Sequence, residues 1–137
     1  MKSINVVAAV LHRHSEEHGE QIFATQRGYG DFKDGWEFPG GKIEPGESAE
    51  NAIVREIKEE LDTEIIVEKE IGTIEYDYPT FHISMKCFWC SIKNGELKLL
   101  EHEDAKWITR SEIDSVDWLL ADRGIVGKVR EMMQADH

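Results

Sequence analysis

Apolar and polar positions change places along this chain with two rhythms. "INVVAAVLHR" (Ile4–Arg13) and "QIFATQR" (Gln21–Arg27) are short, β-branched and apolar-rich, and the polar stretch "HSEEHGE" lies between them. They read as two strands joined by a turn. "GYGDFKDG" (Gly28–Gly35) is a loop, and "WEFPGGKIEPGES" (Trp36–Ser48) reads as a short strand running into a Gly/Pro-rich loop. From Ala49 to about Leu61 the spacing becomes helical, with Ser48 as the N-cap. Strand character returns in "EIIVEKEIGTIEYDY" (Glu64–Tyr78), as one or two strands, and in "FHISMKCFWCSI" (Phe81–Ile92), followed by an Asn94-Gly95 turn. "DAKWIT" (Asp104–Thr109) predicts a further strand and "SEID" a brief helical turn. Ile125, Val126, Val129, Met132 and Met133 then fall on one stripe of an amphipathic helix, so the methionine pair reads as packing.

Such alternation is the mark of an α/β protein. A chain of 137 residues with no repeat, linker or low-complexity run reads as one domain over residues 1–137. The apolar run near the N-terminus is roughly eight residues, against about 20 for a membrane span, and it lacks the flanks of a secretory signal. Cys87 and Cys90, in "CFWC", have no second Cys or His pair to complete a zinc site and lie in strand-like surroundings. Two free thiols in a reducing cytoplasm are expected. The net charge of -12 argues against binding nucleic acid polymers or anionic membranes through a basic face. An anionic small-molecule partner would need divalent cations, and clustered carboxylates to hold them.

The helix supplies such a cluster. At about 100° per residue, Glu56 and Glu60 fall within about 40° of each other, between Ala52 and Ile53 on the apolar stripe, and Glu59 borders it. A merely solvated charge run would lie opposite the stripe, with Lys58 and Asn51. Like charges one turn apart destabilise a helix, and beside buried surface they are costly unless cations neutralise them. Oxygen ligands point to a hard ion, Mg²⁺ or Mn²⁺. The preceding "FPGGKIEPGE" adds adjacent glycines with close backbone access, among them Gly40 with a carbonyl to offer, and Lys42 as a point charge for phosphate.

Gly41, Glu47 and the run Arg55-Glu56-Ile57-Lys58-Glu59-Glu60-Leu61, at these spacings, resemble the Nudix box of the Nudix hydrolases. The pattern departs only at its end, where Asp62 replaces the usual Gly and Thr63 the usual apolar residue, positions that shape the helix exit. "FATQR", "WEFPGGK", "YDYP", "EHEDAKW" and the terminal helix are similar to MutT-like nucleoside triphosphate pyrophosphohydrolases, so the resemblance spans most of the chain. It implies a Nudix fold, an α/β/α sandwich with a mixed central sheet. It also implies Mg²⁺-dependent hydrolysis of a nucleotide to the monophosphate and pyrophosphate.

Carried over position by position, the resemblance makes Glu56, Glu60, Glu59 and the Gly40 carbonyl metal ligands, and Arg55 the group that orients a catalytic glutamate. Glu101, with Glu103 as its competitor, stands where the family has a further carboxylate, and either Glu56 or Glu101 takes the proton from water. Arg27 and Lys42 resemble phosphate-binding positions, and Asp122 in "WLLADRGIV" the polar group set against the base edge. Tyr76 and Tyr78 are open between stacking on the base and ordinary strand packing. His82 and His102 are expected on loop or strand surfaces. Cytidine and oxidised-guanine nucleotides both fit Asp122, with cytidine slightly ahead. The alternative is a non-catalytic Nudix-fold nucleotide sensor, which a lost glutamate or Arg would favour, and every such position is filled. Oligomeric state, monomer or homodimer, is open.

Overall fold

Strand β1 (Lys2–Ser15) sorts the core into two halves by its alternation. Val7, Ala9 and Leu11 join one apolar cluster, whereas Ala8 and Val10 join another on the opposite face. The structure, a computed structural model, describes residues 2–28, 30, 32–99 and 102–133, and of residue 103 the backbone alone. The other strands are β2 (Gly19–Arg27), β3 (Trp36–Glu37), β4 (Gly40–Lys42), β5 (Glu64–Tyr78), β6 (Phe81–Asn94) and β7 (His102–Thr109). They form one sheet in the order β3-β2-β1-β6-β5, with β4 also on β1 and β7 also on β2. β1 runs parallel to β6, from Lys2 opposite Phe81 to Leu11 opposite Cys90, while β2, β4 and β5 pair antiparallel to their neighbours. The sheet is therefore mixed.

Helix α1 (Ala49–Leu61) covers one face through Ala52, Ile53, Ile57 and Leu61; α2 (Leu120–Met132) covers the other through Ile125, Val126 and Val129. This is the expected α/β/α sandwich. Ser48 caps α1 by accepting the Asn51 amide at 3.1 Å. Asp62 ends it in the left-handed region, φ 50°, a conformation that Gly adopts without steric cost. Its carboxylate is held by Lys58 at 2.9 Å and Lys98 at 3.4 Å, and the buried Thr63 hydroxyl lies 2.9 Å from the Leu61 carbonyl. No helix among the described residues is long and apolar enough to cross a membrane.

The sequence pattern misses β4, because glycines are poor strand formers. Here their bareness is what permits pairing. A Cβ at Gly40 would overlap the Val7 carbonyl, so only Gly lets β4 lie this close to β1. Cys87 and Cys90 are buried in the two different clusters, and burial pushes both thiols up to about 12, which removes the thiolate a redox pair needs.

Candidate active site

A cavity of about 790 Å³ opens beside β4. α1 and β4 furnish one wall with Gly40, Gly41, Lys42, Glu56 and Glu60. Phe38, Tyr78 and Asp122 also line it, with the apolar Ile4, Ile83 and Met85 and the charged Arg27 and Glu37. Glu56, Glu60 and Lys42 thus gather on the α1–β4 side, while the buried Asp122 carboxyl stands among apolar side chains with the Arg27–Glu37 ion pair nearby.

Arg55 organises the charged end. Its Nε and Nη2 donate to the two oxygens of Glu47 at 2.7 and 2.8 Å, a two-pronged ion pair. Nη2 also donates to the Lys42 carbonyl at 3.0 Å, and Nη1 to Glu56 Oε1 at 2.9 Å and Glu59 Oε2 at 3.2 Å. One guanidinium therefore ties the Gly-rich segment to the helix. The hydrogen bonds from Arg55 hold the Glu47 carboxyl down to about 2. Gly41 is the matching concession on β4, since a Cβ there would overlap the Glu56 carboxylate.

Glu56 and Glu60, 14% and 10% exposed at their side chains, both reach the cavity. Glu59 does not: its side chain is 57% exposed and turned to Arg55. The expected ligand trio is therefore split, because Glu59 lies at the margin of the apolar stripe and the cation nearest to it is Arg55. Among the described residues no group of three His, Cys, Asp or Glu is gathered tightly enough to hold a metal by itself. Two carboxylates beside the Gly40 backbone nevertheless suit Mg²⁺, which is commonly held by one or two carboxylates and completed by water and substrate phosphate. Glu101 lies outside the described residues, as does the side chain of Glu103. His102 does not present its side chain to the surface as expected: that side chain is 7% exposed, lines the cavity, and places Nε2 3.6 Å from Glu60 Oε2. His102 lies opposite Arg27 of β2, just past a shift in register.

At the other end Asp122 is 4% exposed, in the first turn of α2, and its Oδ2 accepts the Phe38 amide at 2.9 Å. Burial, and then the charge of Glu37, push this carboxyl up to about 8, so it is mostly neutral at pH 7. Arg27 lines the cavity, but Glu37 already engages it twice, at 2.7 and 3.1 Å. Tyr78 is 6% exposed and its ring lies among Phe32, Tyr76 and Phe81 at centroid distances of 4.8 to 5.0 Å. That packing takes up the ring, and its hydroxyl instead accepts the Ala121 amide at 3.2 Å. Tyr76 packs on Tyr78 and is not part of the cavity wall. His82 lies away from the cavity, between Asp77 and Glu75 at 2.6 and 2.7 Å.

Sequence reasoning missed Glu37, Phe38 and His102. Only Glu37 carried a signal, as a lone carboxylate opposite Arg27's strand in a hairpin-like register.

A model of the NUDIX domain matches residues 3–127. The chain belongs to the Nudix family. It is a Nudix hydrolase, and its Nudix box is the segment that Arg55 ties together. Among curated relatives, the CTP pyrophosphohydrolase of Escherichia coli K12 is 33% identical over 112 residues, 82% of this chain and 80% of that protein. The 8-oxo-dGTP diphosphatase of the same organism is 28% identical over 134 residues, 96% of this chain and 100% of that protein. In structure, the E. coli ORF135 protein is similar with a TM-score of 0.79 and 30% identity, over 96% of this chain and 91% of that one. The MutT protein of Methanosarcina mazei Go1 shares the fold, with a TM-score of 0.80 at 21% identity over 97% of both chains.

Proposed function

We propose that this Nudix hydrolase cleaves a nucleoside triphosphate, in a Mg²⁺- or Mn²⁺-dependent reaction, to the monophosphate and pyrophosphate, and that it reads a cytosine base through Asp122. One observation carries the reading: a single cavity joins the Glu56–Glu60 pair to the buried Asp122 carboxyl, with Phe38, Tyr78, Ile83 and Met85 also on its wall. That is the layout needed to hold a polyphosphate at one end and a base at the other. The names of the relatives, a CTP pyrophosphohydrolase and an 8-oxo-dGTP diphosphatase, support it.

Glu56 and Glu60 would hold the divalent ion, with the Gly40 backbone beside them and Glu101 as a further carboxylate. When bound, the ion offsets phosphate charge and makes a coordinated water easier to deprotonate. Lys42 meets the phosphate chain as a cation. Arg27 serves it only by sharing the guanidinium that Glu37 already engages. Arg55 fixes Glu56 through Oε1, leaving Oε2 outside that hydrogen bond. Glu56 is then placed to take the proton as water oxygen bonds to phosphorus; the bridging P–O bond breaks and pyrophosphate leaves with its electron pair.

A neutral Asp122 offers an O–H beside a C=O. Cytosine presents N3, an acceptor, beside its N4 amine, and meets both. The second reading is an oxidised guanine, favoured by the same neutral carboxyl: 8-oxoguanine presents O6 beside N7–H, where guanine presents two acceptors.

A panel of ribo- and deoxynucleoside triphosphates and 8-oxo-dGTP, assayed for pyrophosphate release with Mg²⁺ and Mn²⁺, tests the proposal. Turnover that EDTA abolishes, highest for cytidine nucleotides, is expected. No turnover above a Glu60→Ala control would leave the nucleotide-sensor reading instead.

A further inference from the structure

The first turn of α2 carries the buried carboxyl, yet its own sequence leaves that turn uncapped. The N-cap residue is Leu119, which has no side chain able to accept a hydrogen bond. The first amides of a helix lack partners within it, and a buried orphan amide is costly. One of them, Ala121 N–H, is taken by the hydroxyl of Tyr78 on β5, 3.2 Å away. The next residue is Asp122, whose Oδ2 accepts Phe38 N–H at 2.9 Å. Leu119 N–H in turn donates to the Trp36 carbonyl at 2.8 Å. The turn is thus pinned to β5 through the Tyr78 hydroxyl and to the β3 region through the Trp36 carbonyl and the Phe38 amide, and Tyr78 is the side chain from outside α2 among those pins.

We propose that Tyr78 is a positioning residue for base selection: its hydroxyl caps α2 and thereby sets where Asp122 stands in the cavity. This rests on the reading that Asp122 faces the base. Tyr78 is suited to the task because its ring packs against Phe32, Tyr76 and Phe81, at 4.8 to 5.0 Å, and it is 6% exposed. A hydroxyl on a buried β5 ring ties the helix to the sheet, whereas a Ser or Thr cap would move with the helix it caps. Phe in its place keeps the packing and removes only the acceptor, leaving Ala121 N–H to find water or draw the turn aside.

The test is a double-mutant cycle with Tyr78→Phe, Asp122→Asn and both, reading the ratio of kcat/KM between the best and worst of the common nucleoside triphosphates. Loss of one hydrogen bond transmitted to the base contact should lower that ratio roughly 3- to 10-fold in Tyr78→Phe, more through KM of the preferred nucleotide than through kcat. In the Asp122→Asn background the same substitution should change the ratio less than about 1.5-fold, because the group it positions is gone. An equal loss for every nucleotide, or the same loss of ratio in both backgrounds, makes Tyr78 a packing residue and overturns the proposal. If Asp122→Asn shifts the ratio while Tyr78→Phe does not, the proposal alone falls. If Asp122→Asn itself leaves the ratio untouched, the base-reading role of Asp122 falls, and this inference with it.

Discussion

Glu47 and Asp122 are both carboxylic acids, and the protein drives them to opposite charge states. At the junction of β4 and α1, Arg55 holds Glu47 down to about 2; at the start of α2, burial lifts Asp122 to about 8. The first site keeps charge by supplying a partner, the second discards charge by excluding water. The difference matters for what each end can do. A charged frame built on one guanidinium collapses when that group is replaced. An apolar compartment tolerates its neighbours being changed so long as it stays dry, and its neutral acid both donates and accepts.

The largest expected effect comes from Arg55→Lys. An ammonium cannot span Glu47, the Lys42 carbonyl, Glu56 and Glu59 together, so kcat/KM should fall about 10- to 100-fold with the charge retained. A change within twofold would reduce this network to an ordinary surface cluster. Next come the two glycines of β4. Gly40→Ala forces a methyl into the Val7 carbonyl and should cost roughly 1–3 kcal/mol of stability in denaturant melts. Gly41→Ala meets only the end of the Glu56 side chain, so its loss should appear in activity and metal affinity, with a smaller change in stability. Equal damage from both would erase the distinction between frame and ligand.

Acidity gives a subtler contrast, of opposite sign at the two ends. Native Asp122 keeps its proton up to about pH 8, while in the unfolded chain it lets go near 3.8. Its stabilisation is therefore complete below pH 3.8 and is lost as pH rises toward 8. Asp122→Asn should flatten that part of the stability profile, and its stability relative to wild type should improve steadily across the window. Glu47 behaves inversely: its contribution is present above about 4.5 and fades as pH falls toward about 2, so Glu47→Gln should remove an acid-sensitive component. Thermal melts from pH 2.5 to 8.5 read both. The smallest effect is expected for Lys58→Ala, which deletes an exposed i,i+4 pair with Asp62 and should leave the thermal melt where wild type has it.

The helical stripe of α1, the strands β1, β2 and β6, the Ser48 cap and the fold class were all legible, because each rests on spacing within one segment. The position of Glu60 on the buried side of α1 was legible for the same reason. Two things were not. β4 was hidden because its pairing depends on what glycine lacks, which no propensity registers. The partner choices of Arg55, Arg27, His102 and Tyr78 were hidden because they join segments far apart in sequence. Arg27 reads as a phosphate ligand until Glu37 is seen across the hairpin, and Tyr78 reads as a stacking ring until α2 is found without a cap.

β1 leaves the ribosome well before its parallel partner β6, with β2, β3, β4, α1 and β5 made in between. Pairing across so much sequence is slow, because the loop must close before any contact repays it. Until Phe81–Cys90 emerges, the apolar run Val6–Leu11 stays without that neighbour, the state in which strands aggregate. A nascent chain halted between β5 and β6 should therefore be the form that chaperones hold and proteases remove. Gly40 and Gly41 pair with β1 and Asp122 stands in α2, so the cavity cannot be complete before α2 has emerged.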